Sequence, residues 1–287
     1  MIVVVGGSGQ LGSRLVPRLL QLDRVRIVSR HAGKAGTAPD SVEFVDADVR
    51  DDDAIRTALR GATVVVSLVQ GLLGRSRRSV DDVDVEGNAR LAATAAYMGA
   101  GFIMMSVIDA APDADVEFFR KKWTAEQRAR GVAPDTTIVR APAFVEPWAA
   151  MLRDTRDRHG RPLVLGRGDN PINFVSCIDV ADRLVALVDN ALVGETIRIE
   201  GVENVTMQDL AARLQHADGL TTAPRHLSPR ALRLMAWQPV APMRARLAAL
   251  ALAMDRVPQA RDLAAPLSGH DRRGTTSVDD AIHRPVP

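Results

Sequence analysis

Short apolar runs alternate with longer helical patterns through the first half of the chain. Residues 2–5, 25–28, 42–45, 63–67, 102–105 and 136–139 are each of strand length, and several are apolar without alternation, as expected of strands covered on both faces. Between them, residues 11–22, 51–59, 80–98 and 116–130 carry helical spacing. Strand and helix in alternation imply a parallel sheet with right-handed crossovers, so the predicted fold class is α/β, doubly wound.

The second half is less regular and predicts a smaller α+β region. Pro142 and Pro147 bracket an expected loop, and residues 161–171 read as a strand and turn. Residues 176–189 form a helix with Val180, Leu184, Leu187 and Val188 on one face. Residues 196–199 suit a strand, and 206–214 a helix opened by a threonine N-cap. Met243, Leu247, Leu250 and Met254 make a helical stripe. The expected boundaries are a first domain over 1–145, a smaller region over 146–257 that partly returns to the first core, and a tail over 258–287 wrapped on the surface or partly mobile.

Composition narrows the classes. Of 287 residues, 46% are hydrophobic and 25% charged, which excludes wholesale disorder. The lone Cys177 excludes an intramolecular disulfide and a thiolate zinc site. The six histidines (31, 159, 216, 226, 270 and 283) lack paired ligand spacing, so no metal site is expected. The net charge is only +2, with both signs interleaved along most of the chain, which argues against nucleic acid as a partner. Residues 91–108 carry no charge over membrane length, but Gly99-Ala-Gly101 breaks them into a helix end and a strand. No membrane span is expected, and no secretory signal opens the sequence; a cytoplasmic protein is anticipated.

The sharpest chemical signal follows the first strand. Gly6-Gly-Ser8-Gly9-Gln10-Leu11-Gly12 sets three glycines at i, i+3 and i+6 between a strand and a helix. Such a loop brings backbone close to a pyrophosphate and seats it on a helix N-terminus. The Walker lysine of a nucleoside-triphosphate loop is missing. About twenty residues on, where a carboxylate would select NAD, the chain reads Ser29-Arg30-His31, with Lys34 close behind. Guanidinium can clamp a 2′-phosphate, so NADP(H) is favoured over NAD(H). Asp48, with Val49 beside it, either meets an adenine edge or caps the helix over 51–59. Val69-Gln70-Gly71 would pass the far side of the cofactor.

These residues together resemble the NmrA-like branch of the atypical short-chain dehydrogenase/reductases. The resemblance spans about residues 1–215 and rests on the glycine loop, Val28-Ser-Arg30, Asp48-Val49, Met105-Ser106 and Lys122-x-x-x-Glu126. It continues through Thr137-Ile-Val-Arg140-Ala-Pro142-Ala-Phe144, Phe174-Val-Ser-Cys-Ile-Asp179-Val-Ala181 and Gly201-Val-Glu-Asn-Val-Thr206. It implies an NADP-binding Rossmann domain with a small C-terminal substrate domain. Quinone reductases, other NADPH reductases and redox-sensing regulators all occur in such families.

Ordinary members of the wider group use a tyrosine acid/base, a lysine four residues on and a serine after the fifth strand. Ser106 and Lys122 fall in register, as a serine that polarises an acceptor and a lysine that holds the nicotinamide ribose. The tyrosine position is Phe118, and the only tyrosine is Tyr97, in the helix before the fifth strand. Alcohol/ketone chemistry by the usual triad is therefore not expected. A strand-end cap for Ser106 and a surface position for Lys122 are the plainer alternatives. A quinone would relax the need for tyrosine, because positioning against the nicotinamide carries much of the catalysis. Phe144 and Trp148 could wall such an acceptor, with Met207 and the methionine-bearing C-terminal helix as a lid.

Two functional expectations follow. One is an NADPH-dependent reductase of a quinone or similar apolar acceptor. The other is a noncatalytic NADP(H)-sensing protein that engages a protein partner through its arginine-rich C-terminal helices, which carry six arginines against Asp255 between 225 and 256.

Overall fold

The computed structural model describes residues 1–30, 41–190, 194–237 and 241–283. β1 (Ile2–Val5) is wholly buried and pairs in parallel with β2 (Val25–Ser29) and β4 (Val64–Ser67), while β3 (Val42–Asp46) pairs with β2. β5 (Gly101–Val107) and β6 (Thr137–Ala141) extend the sheet beyond β4. β10 (Thr196–Glu200) and β13 (Arg272–Arg273) complete eight strands in the order β13-β10-β6-β5-β4-β1-β2-β3, every pair parallel. Winding reverses between β1 and β4, which opens a crevice at the carboxyl ends of those strands.

Helices cover both faces, which is why several of the strands, β1 and β4 among them, read as unbroken apolar runs. α1 (Gln10–Leu19) and α6 (Cys177–Asp189) pack together on one face, their Leu15, Leu19, Val180 and Leu184 meeting Val4, Ile27 and Val66. α2 (Asp52–Ala58), α3 (Glu86–Tyr97) and α4 (Glu117–Val132) cover the other, where Ile55, Leu91, Ala125 and Ala129 close on Val3, Val65 and Met104. The helix expected over 80–98 is divided: residues Val80–Val85 form a π-helical turn before α3 begins.

A third core lies beyond the sheet. It gathers α5 (Val145–Asp154), α7 (Met207–Ala217), α9 (Pro242–Met254) and β9 (Pro171–Val175), with Leu152, Phe174 and Leu210 at its centre. β7 (Ala143–Phe144) and β11 (Glu203–Thr206) flank β9, and β8 (Leu163–Leu165) pairs with β12 (Arg225–Leu227). α8 (Pro229–Ala236) packs on α9. Thr206 caps α7, accepting the Asp209 amide, as the sequence suggests.

Two expectations need correction. Pro147 does not close a loop; it sits in the first turn of α5, where the N–H it lacks would have had no helical acceptor. Nor does the tail merely cover the surface. It supplies β13 to the main sheet, and α10 (Val278–His283) buries Val278, Ala281 and Ile282 in the third core.

The third core carries an acid-sensitive tie. Asp218, closing α7, accepts from Arg153 and Arg156 at 2.6–2.9 Å, and the Arg153 bond foremost lowers its carboxyl to about 2. A depressed carboxylate stabilises the fold above its unfolded pKa of 3.8 and loses that contribution as pH falls towards 2. The groups are partly exposed, so screening holds the contribution to about 1 kcal/mol or less. Asp218→Asn should therefore melt below the wild type at neutral pH, and the gap should close between pH 4 and pH 2. A gap that stays constant across that window in paired thermal melts would contradict this reading.

Candidate functional site

The crevice opens where the sheet's winding reverses. Gly6 leaves β1 with φ +84°, donates to the Val28 carbonyl at 2.7 Å, and lies so close to Leu68 that a Cβ would come within 3.2 Å of its backbone. Gly12 packs harder still, since an added Cβ would stand 2.2 Å from the Gly7 carbonyl oxygen. Gly9 differs: it caps α1 with φ −83°, and a Cβ there would meet nothing nearer than 3.5 Å. Its outer side is open, as are Ser8 and the edge of Gln10.

No side chain caps α1, and no acidic residue stands in its first turn. The first amides of the helix and its positive dipole end therefore face the crevice. The Gln10 Oε1 is buried without a hydrogen-bond partner. Leu11 turns its side chain into the core beneath the sheet. An uncapped helix end behind glycines that leave space for backbone approach fits a dinucleotide diphosphate.

Farther along the edge, Arg30, Asp46, Ala47 and Asp48 line an open cleft of about 360 Å³. Asp48 is not the cap of α2; Asp51 is, accepting from the Asp53 and Ala54 amides. Asp48 instead receives Arg50 through its guanidinium, at 2.6 and 2.9 Å, and through its amide at 3.0 Å. The Arg50 side-chain bonds hold the Asp48 carboxyl below its ordinary range. Arg30 is exposed on the cleft, its charge acting on Asp48. His31 and Lys34 lie outside the described residues. Val49 is buried against Gly87 of α3, so only its backbone is available to a ligand.

Across the crevice, the sequence candidates converge. Val69 packs on the core, Gln70 is exposed, and Gly71 donates its amide to Asp84 Oδ2 at 2.7 Å. Lys122 is buried rather than superficial: its Nζ donates to Asp84 Oδ1 at 3.1 Å and to the Met105 carbonyl at 3.0 Å. That carbonyl directly precedes Ser106, whose Oγ is buried with no hydrogen-bond partner, so Ser106 is no strand-end cap. The Ser106 hydroxyl, next in the chain to the carbonyl that the Lys122 ammonium holds, thus keeps a hydrogen bond to give.

Sequence reasoning missed Asp84, which is entirely buried and ties Gly71 to Lys122. Its carbonyl accepts from Asn88 Nδ2 at 2.8 Å, and Asn88 Oδ1 accepts from Ser67 Oγ at 2.6 Å. The available signal was an aspartate and an asparagine at i and i+4 in an otherwise apolar helical face. The π-helical turn carries Asp84, a distortion frequent at functional sites.

The remaining candidates separate. Tyr97 is 86% exposed at the C-terminal end of α3, away from Asn88 and the site at the start of that helix. Phe118 packs into the third core near Phe119. Phe144 joins the core beneath α1 and α6, whereas Trp148 joins the third core, so the two do not form one wall. Trp148, Met207 and Met254 line a cavity of only about 30 Å³, room for little more than one water. Met207 and Met254 are buried packing residues rather than a raised lid. Cys177 is buried beside Glu146; burial first, and that neighbouring charge second, push its thiol up, which makes it a poor nucleophile.

A parallel sheet with reversed winding, a glycine cradle and an exposed helix N-terminus define a dinucleotide-binding protein of the Rossmann class. The chain belongs to the NAD(P)H-binding family, whose model matches residues 6–191. It is 29% identical over 217 residues to the mitochondrial NADH-ubiquinone oxidoreductase 40 kDa subunit of Neurospora crassa, covering 72% of this chain and 57% of that one. The chain thus spans just over half the length of that relative. It is 28% identical over 225 residues to the (4-alkanoyl-5-oxo-2,5-dihydrofuran-3-yl)methyl phosphate reductase of Streptomyces griseus, covering 76% and 74%. Among solved structures, an NADPH-dependent quinone oxidoreductase of Escherichia coli shares the fold, with TM-score 0.72, 16% identity and 98% of both chains covered. No helix among the described residues is long and apolar enough to cross a membrane.

Proposed function

We propose that the protein is an NADPH-dependent reductase that delivers hydride to a quinone or another apolar, carbonyl-like acceptor. The observation that carries a catalytic role is the orphaned Ser106 Oγ beside Lys122 at the carboxyl edge of β5. The amides of the glycine loop and α1 would hold the diphosphate, Arg30 the 2′-phosphate, and the backbone at Asp48-Val49 the adenine. When bound, the reduced nicotinamide supplies the hydride.

Lys122, held by Asp84 and the Met105 carbonyl, would orient the ribose. Ser106 Oγ–H would donate to the acceptor oxygen as negative charge develops there. Water can then protonate an oxyanion of quinone acidity, so a tyrosine at Phe118 is not required. The S. griseus relative's name, a reductase of an unsaturated oxo ring, supports this reading.

Phe118 also motivates a second reading, a noncatalytic NADP(H)-responsive protein that engages another protein, and the relative named as a 40 kDa subunit of a larger oxidoreductase is compatible with such an association. Fluorescence titration should find NADPH bound more tightly than NADH, and Arg30→Ala should erase most of that preference, roughly tenfold or more for a lost guanidinium–phosphate contact. Steady-state NADPH oxidation with quinones separates the two readings. No turnover across quinones, enones and flavins, despite tight NADPH binding, would leave only the second.

A further inference from the structure

α8 turns Leu232, Met235 and Ala236 inward against Ala248, Ala251 and Leu252. Its other face presents Arg230, Arg233, Leu234 and Trp237, spaced i, i+3, i+4 and i+7, all exposed. Trp237 is 85% exposed and Leu234 64%, large apolar groups that a purely solvated helix has no reason to display.

The neighbouring surface continues the pattern. Arg246 of α9 donates to the carbonyls of Leu72, Gly74 and Ser76 and so fastens the loop after Gly71 to this helix pair. That loop exposes Leu73 and Arg75, and α9 exposes Arg244. No acidic residue occurs between 228 and 254, or between 71 and 80.

We propose that this face seats the protein on an anionic lipid surface. Arginine on a short amphipathic helix supplies attraction to acidic headgroups, and tryptophan favours the depth where headgroup meets acyl chain. A second copy is the poorer occupant, because a two-fold pairing would set like charges against each other. The loop held by Arg246 begins at Gly71, so the lipid-facing surface adjoins the crevice itself. The proposal does not depend on turnover; its failure would leave the reductase reading standing.

The test is co-sedimentation of the full chain with phosphatidylcholine vesicles containing phosphatidylglycerol, against pure phosphatidylcholine, at low and high salt. Binding should require the anionic lipid, weaken with salt and shift the Trp237 emission to the blue. Each arginine should contribute about fivefold, so R230Q/R233Q should lower partitioning about 25-fold. Trp237→Ser should weaken it without changing the melting temperature or NADPH affinity. Absent binding, equal binding to neutral vesicles, or equal partitioning of R230Q/R233Q and wild type would overturn the proposal. So would a concentration-dependent dimer that Trp237→Ser abolishes in a protein indifferent to vesicles.

Discussion

Replacing Lys122 by methionine is expected to cost about 3–5 kcal/mol of stability and, on the proposed reductase function, to abolish most NADPH oxidation. The stability loss arises on the other side of the pair. Asp84 is wholly buried, and its carboxylate is balanced by the Lys122 ammonium and the Gly71 amide. Removing the ammonium leaves the buried charge with one hydrogen-bond donor, the Gly71 amide, and only the longer-range charge of Arg246, the costly way to break an internal ion pair. The activity loss has a different origin, because Lys122 Nζ also fixes the geometry beside Ser106, and a misplacement of about 1 Å there can cost about a hundredfold. The double variant D84N/K122M separates the two effects. Asparagine can still accept from Gly71 and carries no charge, so stability should recover in large part while turnover stays low. Urea midpoints and initial rates on the three proteins provide the check. Were Lys122→Met as stable and active as the wild type, neither the ion pair nor the catalytic placement could stand.

The contrast between Lys122 and Asp84 also marks what the sequence could and could not reveal. Lys122 was legible because it lies in a recognisable register with Ser106. Asp84 lies 38 residues from Lys122 and meets it only through the packing of the π-helical turn on α4. Local patterning can mark the aspartate as out of place on an apolar face but cannot name the partner it meets. β1, β4 and β5 were readable because burial on both faces makes each an apolar run, whereas β13 is only two arginines, held by pairing with β10 and by the Arg273–Glu200 ion pair. The same reasoning covers Arg246, which reaches the loop after Gly71 across more than 170 residues of chain and could only be read as one arginine among several. The glycine loop was legible because backbone geometry dictates residue type: a positive φ at Gly6 and the backbone contact at Gly12 leave no room for another side chain.

That loop yields the second large expected effect, a dissociation of fold from binding between two glycines three residues apart. At Gly12 an added methyl would drive into the carbonyl and Cα of Gly7, at 2.2 and 2.5 Å, both backbone and unable to swing aside. Gly12→Ala should therefore displace α1 from the sheet at the upper end of overpacking costs, about 3 kcal/mol, lowering the melting temperature by roughly 5–10 °C and NADPH binding with it. Gly9→Ala meets only ordinary contact at 3.5 Å and has an unstrained φ of −83°, so it should melt within about 2 °C of the wild type. Its methyl would nevertheless occupy the open side of the helix end, where a diphosphate must approach the amides directly. NADPH affinity should then fall at least about tenfold, roughly one lost charge-assisted contact. A Gly9→Ala protein that is as stable as the wild type and binds NADPH equally well would show that the diphosphate does not rest on this loop. A Gly12→Ala protein with an unchanged melting temperature would contradict the packing of α1 on which the whole site is built.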